Sequence, residues 1–99
     1  MTASARPRPE VVAHATPNPA STKFTAAGHR FTPAGMHSFA SPREAVGNSL
    51  AEALFAIPAV DNVLILPDFV TVSLANPSEW SQYLEAIRAT LADFAEEVD

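Results

Sequence analysis

"VDNVLILPDFVTVSL" (residues 60–74) sets two β-rich runs on either side of Pro67-Asp68. Proline presets its own φ and aspartate tolerates turn geometry, so this pair suits the centre of a tight turn. In the second run Val70, Val72 and Leu74 share one face, and Phe69, Thr71 and Ser73 share the other. The alternation predicts an antiparallel hairpin with one apolar face, and that face needs a covering layer.

Helical patterns on both sides of the hairpin can supply the layer. From Pro77 onward, Trp80, Tyr83, Leu84, Ile87, Leu91, Phe94 and Val98 recur at spacings of three and four, one apolar helical stripe. Asn76-Pro77-Ser78-Glu79 starts it with a cap, a first-position proline and a glutamate three residues on. Ser49-Leu50-Ala51-Glu52 repeats the cap-to-glutamate spacing and opens a first helix over residues 49–57, which Pro58 stops. Ser41-Pro42-Arg43-Glu44 shows the same signature, but Gly47-Asn48 follows, so residues 42–46 read as a single turn.

Upstream, "MHSFA" (residues 36–40) alternates as a strand, and "AAGHRFTPAG" (residues 26–35) reads as a loop with at best a short strand. "EVVAHAT" (residues 10–16) is the first strand, and Thr22–Thr25 resumes an extended form after Thr16-Pro17-Asn18-Pro19-Ala20. Two prolines without N–H donors exclude that stretch from a central strand, so it turns or bulges. The expected order is β, β, α, β, β, α. This is an α+β two-layer sandwich, a four-stranded antiparallel sheet with both helices on one face. Residues 1–10 read as a disordered tail and residues 11–99 as one domain.

Ninety-nine residues, 47% of them hydrophobic, suffice for one modest core. No apolar run approaches the ~20 residues a bilayer demands. "MTASARPRPE" has no apolar segment after its arginines, so it is not a secretory signal, and it is too short for a transit peptide. A cytoplasmic protein is the expectation. The chain has no cysteine, which excludes disulfides, thiolate nucleophiles and thiolate-held clusters built by this chain alone.

Net charge is −5 and uneven. Residues 1–43 hold Arg6, Arg8, Lys23, Arg30 and Arg43 against Glu10, while residues 44–99 hold ten acids against Arg88. Five scattered cations make no counterion-displacing stripe, so nucleic acid is not an expected partner. No G-x-S-x-G occurs, and three scattered glycines form no phosphate loop, so no enzyme chemistry is indicated.

Possible ligands and contacts are few. His14, His29 and His37 lie on separate elements and would need the fold to assemble them into a metal site. Asp68 reads as a turn residue. Asp93, Glu96, Glu97 and Asp99 crowd the end of the last helix, where the macrodipole disfavours negative charge. That conflict marks a docking patch, a weak hard-cation site, or simply a fraying end. Trp80 lies in phase with the apolar stripe and is core first.

"TPNPASTKF" (residues 16–24), then "MHSFASPREAVGNSLAEALFAIPAVDNVLILPDFVTV" (residues 36–72) and a Trp-led helix resemble the N-terminal domain of Nfu/NifU-type iron–sulfur scaffold proteins. The resemblance covers about residues 11–98. Its departures are Asn48-Ser49 where the family has Ser-Pro, and Ala59 where it has Gly. The family's cluster is held by a Cys-x-x-Cys pair on a second domain, and no residue here matches that pair. The resemblance implies the same α+β fold and a part in iron–sulfur cluster assembly, with assembly or client proteins as partners. The expected role is a non-catalytic adaptor touching its partner through Thr16, Pro17, Asn18, Pro19 and Lys23, or through Asp93, Glu96 and Glu97. The alternative is direct iron binding through histidines and carboxylates as a store or sensor, with no ligand set identified.

Overall fold

The computed structural model describes residues 9–98. Most of the expected tail, residues 1–8, and Asp99 lie outside the described residues. The described chain runs β1 (Val12–Ala15), β2 (Ser21–Thr25), β3 (His29–Arg30), β4 (His37–Phe39), α1 (Ser49–Phe55), β5 (Val60–Ile65), β6 (Phe69–Leu74), a 3₁₀ turn (Pro77–Glu79), α2 (Trp80–Phe94) and β7 (Glu96–Glu97).

The expected hairpin forms the centre of the molecule. β5 and β6 pair antiparallel, and Leu66 N–H bonds the Phe69 carbonyl (2.9 Å) to close Pro67-Asp68. Val63, Ile65, Val70, Val72 and Leu74 are all at most 2% exposed, so the alternation in residues 69–74 points its apolar face inward. A bulge between Val60 and Asn62 leaves Asp61 without a counterpart. The extra residue explains why Val60 and Val63, three apart in a period-two strand, are both buried.

The sheet has five antiparallel strands in the order β1-β2-β6-β5-β4, not four. The additional strand comes from residues 10–25, read as one interrupted strand. They form a true hairpin, β1 paired with β2 from Val12↔Thr25 to Ala15↔Thr22, and β2 then pairs with β6. Thr16–Ala20 is its connection, so the prolines stand outside every ladder, as their missing donors require. The short strand anticipated in residues 26–35 is β3, and it joins a separate two-stranded ladder.

α1 and α2 cover one face of the five-stranded sheet. Leu50, Ala51 and Leu54 of α1 and Ile87 and Leu91 of α2 meet Phe24, Val63, Val70 and Val72 in a single core. Trp80 joins that core at its margin, its ring 6.0 Å from that of Phe24. The two-layer α+β reading stands, and residues 41–47 form turns rather than a helix.

Two helix ends depart from expectation. The cap of α1 is Asn48, whose side chain accepts from Ala51 N–H (3.0 Å), and Ser49 is already helical. Glu52 reaches back past the cap to Gly47 N–H (3.2 Å). α1 also ends at Phe55 rather than residue 57.

The apolar stripe does not continue as helix to Val98. α2 stops at Phe94, Ala95 turns extended, and Glu96–Glu97 pair with β3 as Arg30↔Glu96 and His29↔Glu97. Further helix would stack Glu96 and Glu97 on the negative end of the α2 dipole. The strand instead sets them opposite a cation and a histidine, a favourable cross-strand arrangement. The acidic helix end expected from the sequence is therefore an acidic strand following a helix.

Candidate functional site

The proline turn is held from within. Thr16 Oγ1 reaches the carbonyls of Asn18 (2.9 Å) and Ser21 (3.0 Å) and accepts from Asn18 N–H (3.2 Å). Asn18 Oδ1 accepts from Ala20 N–H (2.9 Å), and the Asn18 carbonyl accepts from Ser21 N–H (2.9 Å). These are the local side-chain bonds that Thr and Asn make when the backbone leaves a ladder.

The turn is also stapled to the rest of the domain. The Ala20 carbonyl accepts from Leu74 N–H (2.9 Å) at the end of β6 and from the Trp80 indole N–H (2.8 Å) at the start of α2. Both lone pairs of that oxygen are thereby engaged. Thr16 and Asn18 spend their polar groups on the fold, and Pro17 and Pro19 offer a stiff, exposed rim.

Lys23 has a different setting. It sits in β2 on the sheet face away from the helices, with its ammonium 4.6 Å from the Phe69 ring centroid. Strand register puts His14, Lys23, Thr71, Leu64 and Ser38 in one row straight across the five strands. His14 Nε2 shares a 2.8 Å hydrogen bond with Thr25 Oγ1 beside that row. On the turn side, Ser21 and Ser73 join hydroxyls at 2.6 Å.

The two expected contact patches lie at opposite ends of the domain. The Thr16–Ala20 turn meets the first residue of α2, whereas Asp93 occupies its last turn and Glu96 and Glu97 follow. Fifteen helical residues separate the ends by roughly 22 Å at 1.5 Å per residue.

The histidines are dispersed. His14 is on edge strand β1 and His37 on the opposite edge strand β4, four strand spacings or roughly 19 Å apart. They also face opposite sides: His14 shares a row with Lys23, while His37 pairs with the buried Ile65. His37 Nε2 donates to the Ala34 carbonyl (3.1 Å), and His29 Nδ1 donates to that of Ala27 (3.0 Å). Among the described residues no three His, Cys, Asp or Glu side chains are grouped to hold a metal ion. No helix among them is long and apolar enough to cross a membrane.

Sequence reasoning found Lys23 but not its row. Leu64, Thr71 and Ser38 join it only through register, and no local pattern around any of them announces the others.

The family model "Scaffold protein Nfu/NifU N terminal" matches residues 11–98. The Homo sapiens protein named NFU1 iron-sulfur cluster scaffold homolog, mitochondrial, is 38% identical over 80 residues, covering 80% of this chain and 31% of that protein. Its Drosophila ananassae namesake is 35% identical over 79 residues, covering 80% and 28%. The chain thus spans under a third of the length of these relatives. A NifU-like protein from Saccharomyces cerevisiae, solved by NMR, superposes with a TM-score of 0.73 at 20% identity, covering 94% of this chain and 84% of that one. Protein SAV1430 from Staphylococcus aureus superposes at 0.64 with 19% identity, covering 82% and 96%. At such identities the structural likeness speaks for the fold alone.

Proposed function

This chain belongs to the Nfu/NifU N-terminal family, and on that premise we propose that it is a non-catalytic adaptor in iron–sulfur cluster assembly or delivery. It acts through contacts with assembly or client proteins. One observation carries the reading: the scaffold-family match runs through the whole folded domain of a chain without cysteine. Clusters are held chiefly by cysteine thiolates, so what these residues contribute to cluster handling is contact rather than ligation.

An acidic net charge disfavours nucleic acid as the partner. The proposal keeps the cytoplasm as compartment, although the matched relatives are named mitochondrial. Direct iron storage or sensing gains no support from the dispersed histidines.

Affinity capture from the parent cell, followed by quantitative mass spectrometry, tests the adaptor reading. Enrichment of cluster-assembly proteins or iron–sulfur clients is the expected result. Recovery of neither class would count against it.

A further inference from the structure

The residues leading into β1 line a cleft against α2. Pro9 and Val11 form one wall, and Glu85, Arg88, Ala89 and Ala92 of α2 form the other. Val11 is 3% exposed and anchors its wall in the core, while the small side chains of Ala89 and Ala92 keep the helix wall low. Helical spacing of four sets Glu85, Ala89 and Asp93 in one row along this flank, an acid one turn to either side of Ala89. Arg88 stands beside the row and is engaged by Glu85 at 3.2 Å. Glu10 adds a carboxylate on the near wall, so three acids (Glu10, Glu85, Asp93) face one cation (Arg88), a formal charge of −2 for the cleft and its margin.

The sequence that precedes Pro9 has the opposite sign. Residues 1–8 contain Arg6 and Arg8 and no acid. Each arginine stands directly before a proline, Pro7 or Pro9, a position that disfavours helical backbone and favours extended. Alternate residues of an extended chain share a side, roughly 7 Å apart, so both arginines can face α2 together. Glu85 and Asp93 are separated along the helix by roughly 12 Å, a span that two long side chains can bridge. Exposed ion pairs are individually weak, so a free basic peptide would gain little from this flank. A segment already joined at Pro9 closes onto it intramolecularly, at a high effective concentration.

We propose that residues 1–8 of this chain occupy the cleft and continue along α2, with Arg6 and Arg8 on Glu85 and Asp93, as a built-in cover for the acidic flank. Charge complementarity sets the sign of the occupant, and the tether at Pro9 selects the chain's own segment over a second copy or a separate basic partner. A basic partner that approaches Asp93 must first displace this cover. The inference goes beyond the adaptor reading and does not depend on it.

Backbone NMR relaxation of the whole chain tests it. In the wild type the Arg6 and Arg8 amides are expected to show order parameters above ~0.6, the upper bound for flexible backbone. The double variant Arg6→Glu/Arg8→Glu should drop both below that bound and shift the amides of Glu85, Ala89 and Asp93, while the 66–69 hairpin end stays constant. Adding Glu85→Arg and Asp93→Arg to that variant should restore the order, and added salt should lower it in the wild type. The altered side chains lie outside the core, and amide dispersion verifies that each variant is folded. If the helix variants fail to fold, the arginine variant and the salt series decide the question. Low order parameters in the wild type would overturn the proposal and leave the cleft to another occupant. Order that survives both charge reversal and salt, or shifts that spare α2, would also overturn it. Order that falls on dilution would assign the cleft to the same segment of a second copy and overturn the intramolecular cover.

Discussion

Phe24→Ala is expected to destabilise the domain by about 3–5 kcal/mol, the range for removing a buried aromatic ring. Phe24 is fully buried in β2, between β1 and the central strand β6. Its partners across the register and above the sheet are Val70 and Trp80. No polar group is stranded by the change, so the cost is lost transfer energy plus the cavity. A domain this size holds on the order of 5–10 kcal/mol in total, so the variant stands close to unfolding at 37 °C. Urea unfolding followed by circular dichroism measures it. A loss under about 1.5 kcal/mol would mean that β1 and β2 do not belong to the core as described.

Trp80→Ala carries the second large effect, about 3 kcal/mol, because one residue performs two tasks. Its ring packs on Phe24, and its indole N–H holds the Ala20 carbonyl. Trp80→Phe separates the two, since the phenyl ring retains much of the packing and has no donor. That variant should lose about 1 kcal/mol, because Leu74 N–H still satisfies the abandoned carbonyl. Its amide shifts should change at Pro19's neighbours, Asn18, Ala20 and Ser21, and stay constant at the 66–69 hairpin end. Equal losses in the two variants would show that the hydrogen bond, not the packing, fastens the turn to α2.

The parts of this fold legible in the sequence are those with local causes. Pro67-Asp68 between two β-rich runs announces its own hairpin, Asn76-Pro77 announces the start of the last helical segment, and the Trp80-to-Phe94 stripe announces its buried face. The unread parts have partners far away in the chain. Thr16–Ala20 passes for an irregularity until β2 is seen to be satisfied on both sides, by β1 and by β6. Glu96 and Glu97 look helical because the stripe continues to Val98, and only the distant His29-Arg30 gives them a ladder to join. Asn48 and Ser49 compete as caps one residue apart, and the Asn48 side chain prevails by reaching Ala51 N–H.

The site follows the same rule. Thr16, Pro17, Asn18, Pro19 and Lys23 are one run in sequence, but the fold divides them between a turn consumed by its own hydrogen bonds and a face that Lys23 shares with residues 40 to 50 positions away. A period-two pattern tells which residues share a face within one strand; it does not tell which strands lie side by side.

The central claim, assistance to cluster assembly by contact without ligation, is tested most directly by reconstituted cluster transfer. A cysteine-bearing scaffold of this family, loaded with an iron–sulfur cluster, is mixed with an apo client in the presence and absence of this chain, and transfer is followed by its absorbance change. The account predicts that the chain binds scaffold or client, alters the transfer rate in proportion to its concentration, and is recovered without iron. No binding and no change in rate, or recovery of the chain with iron bound, would contradict it.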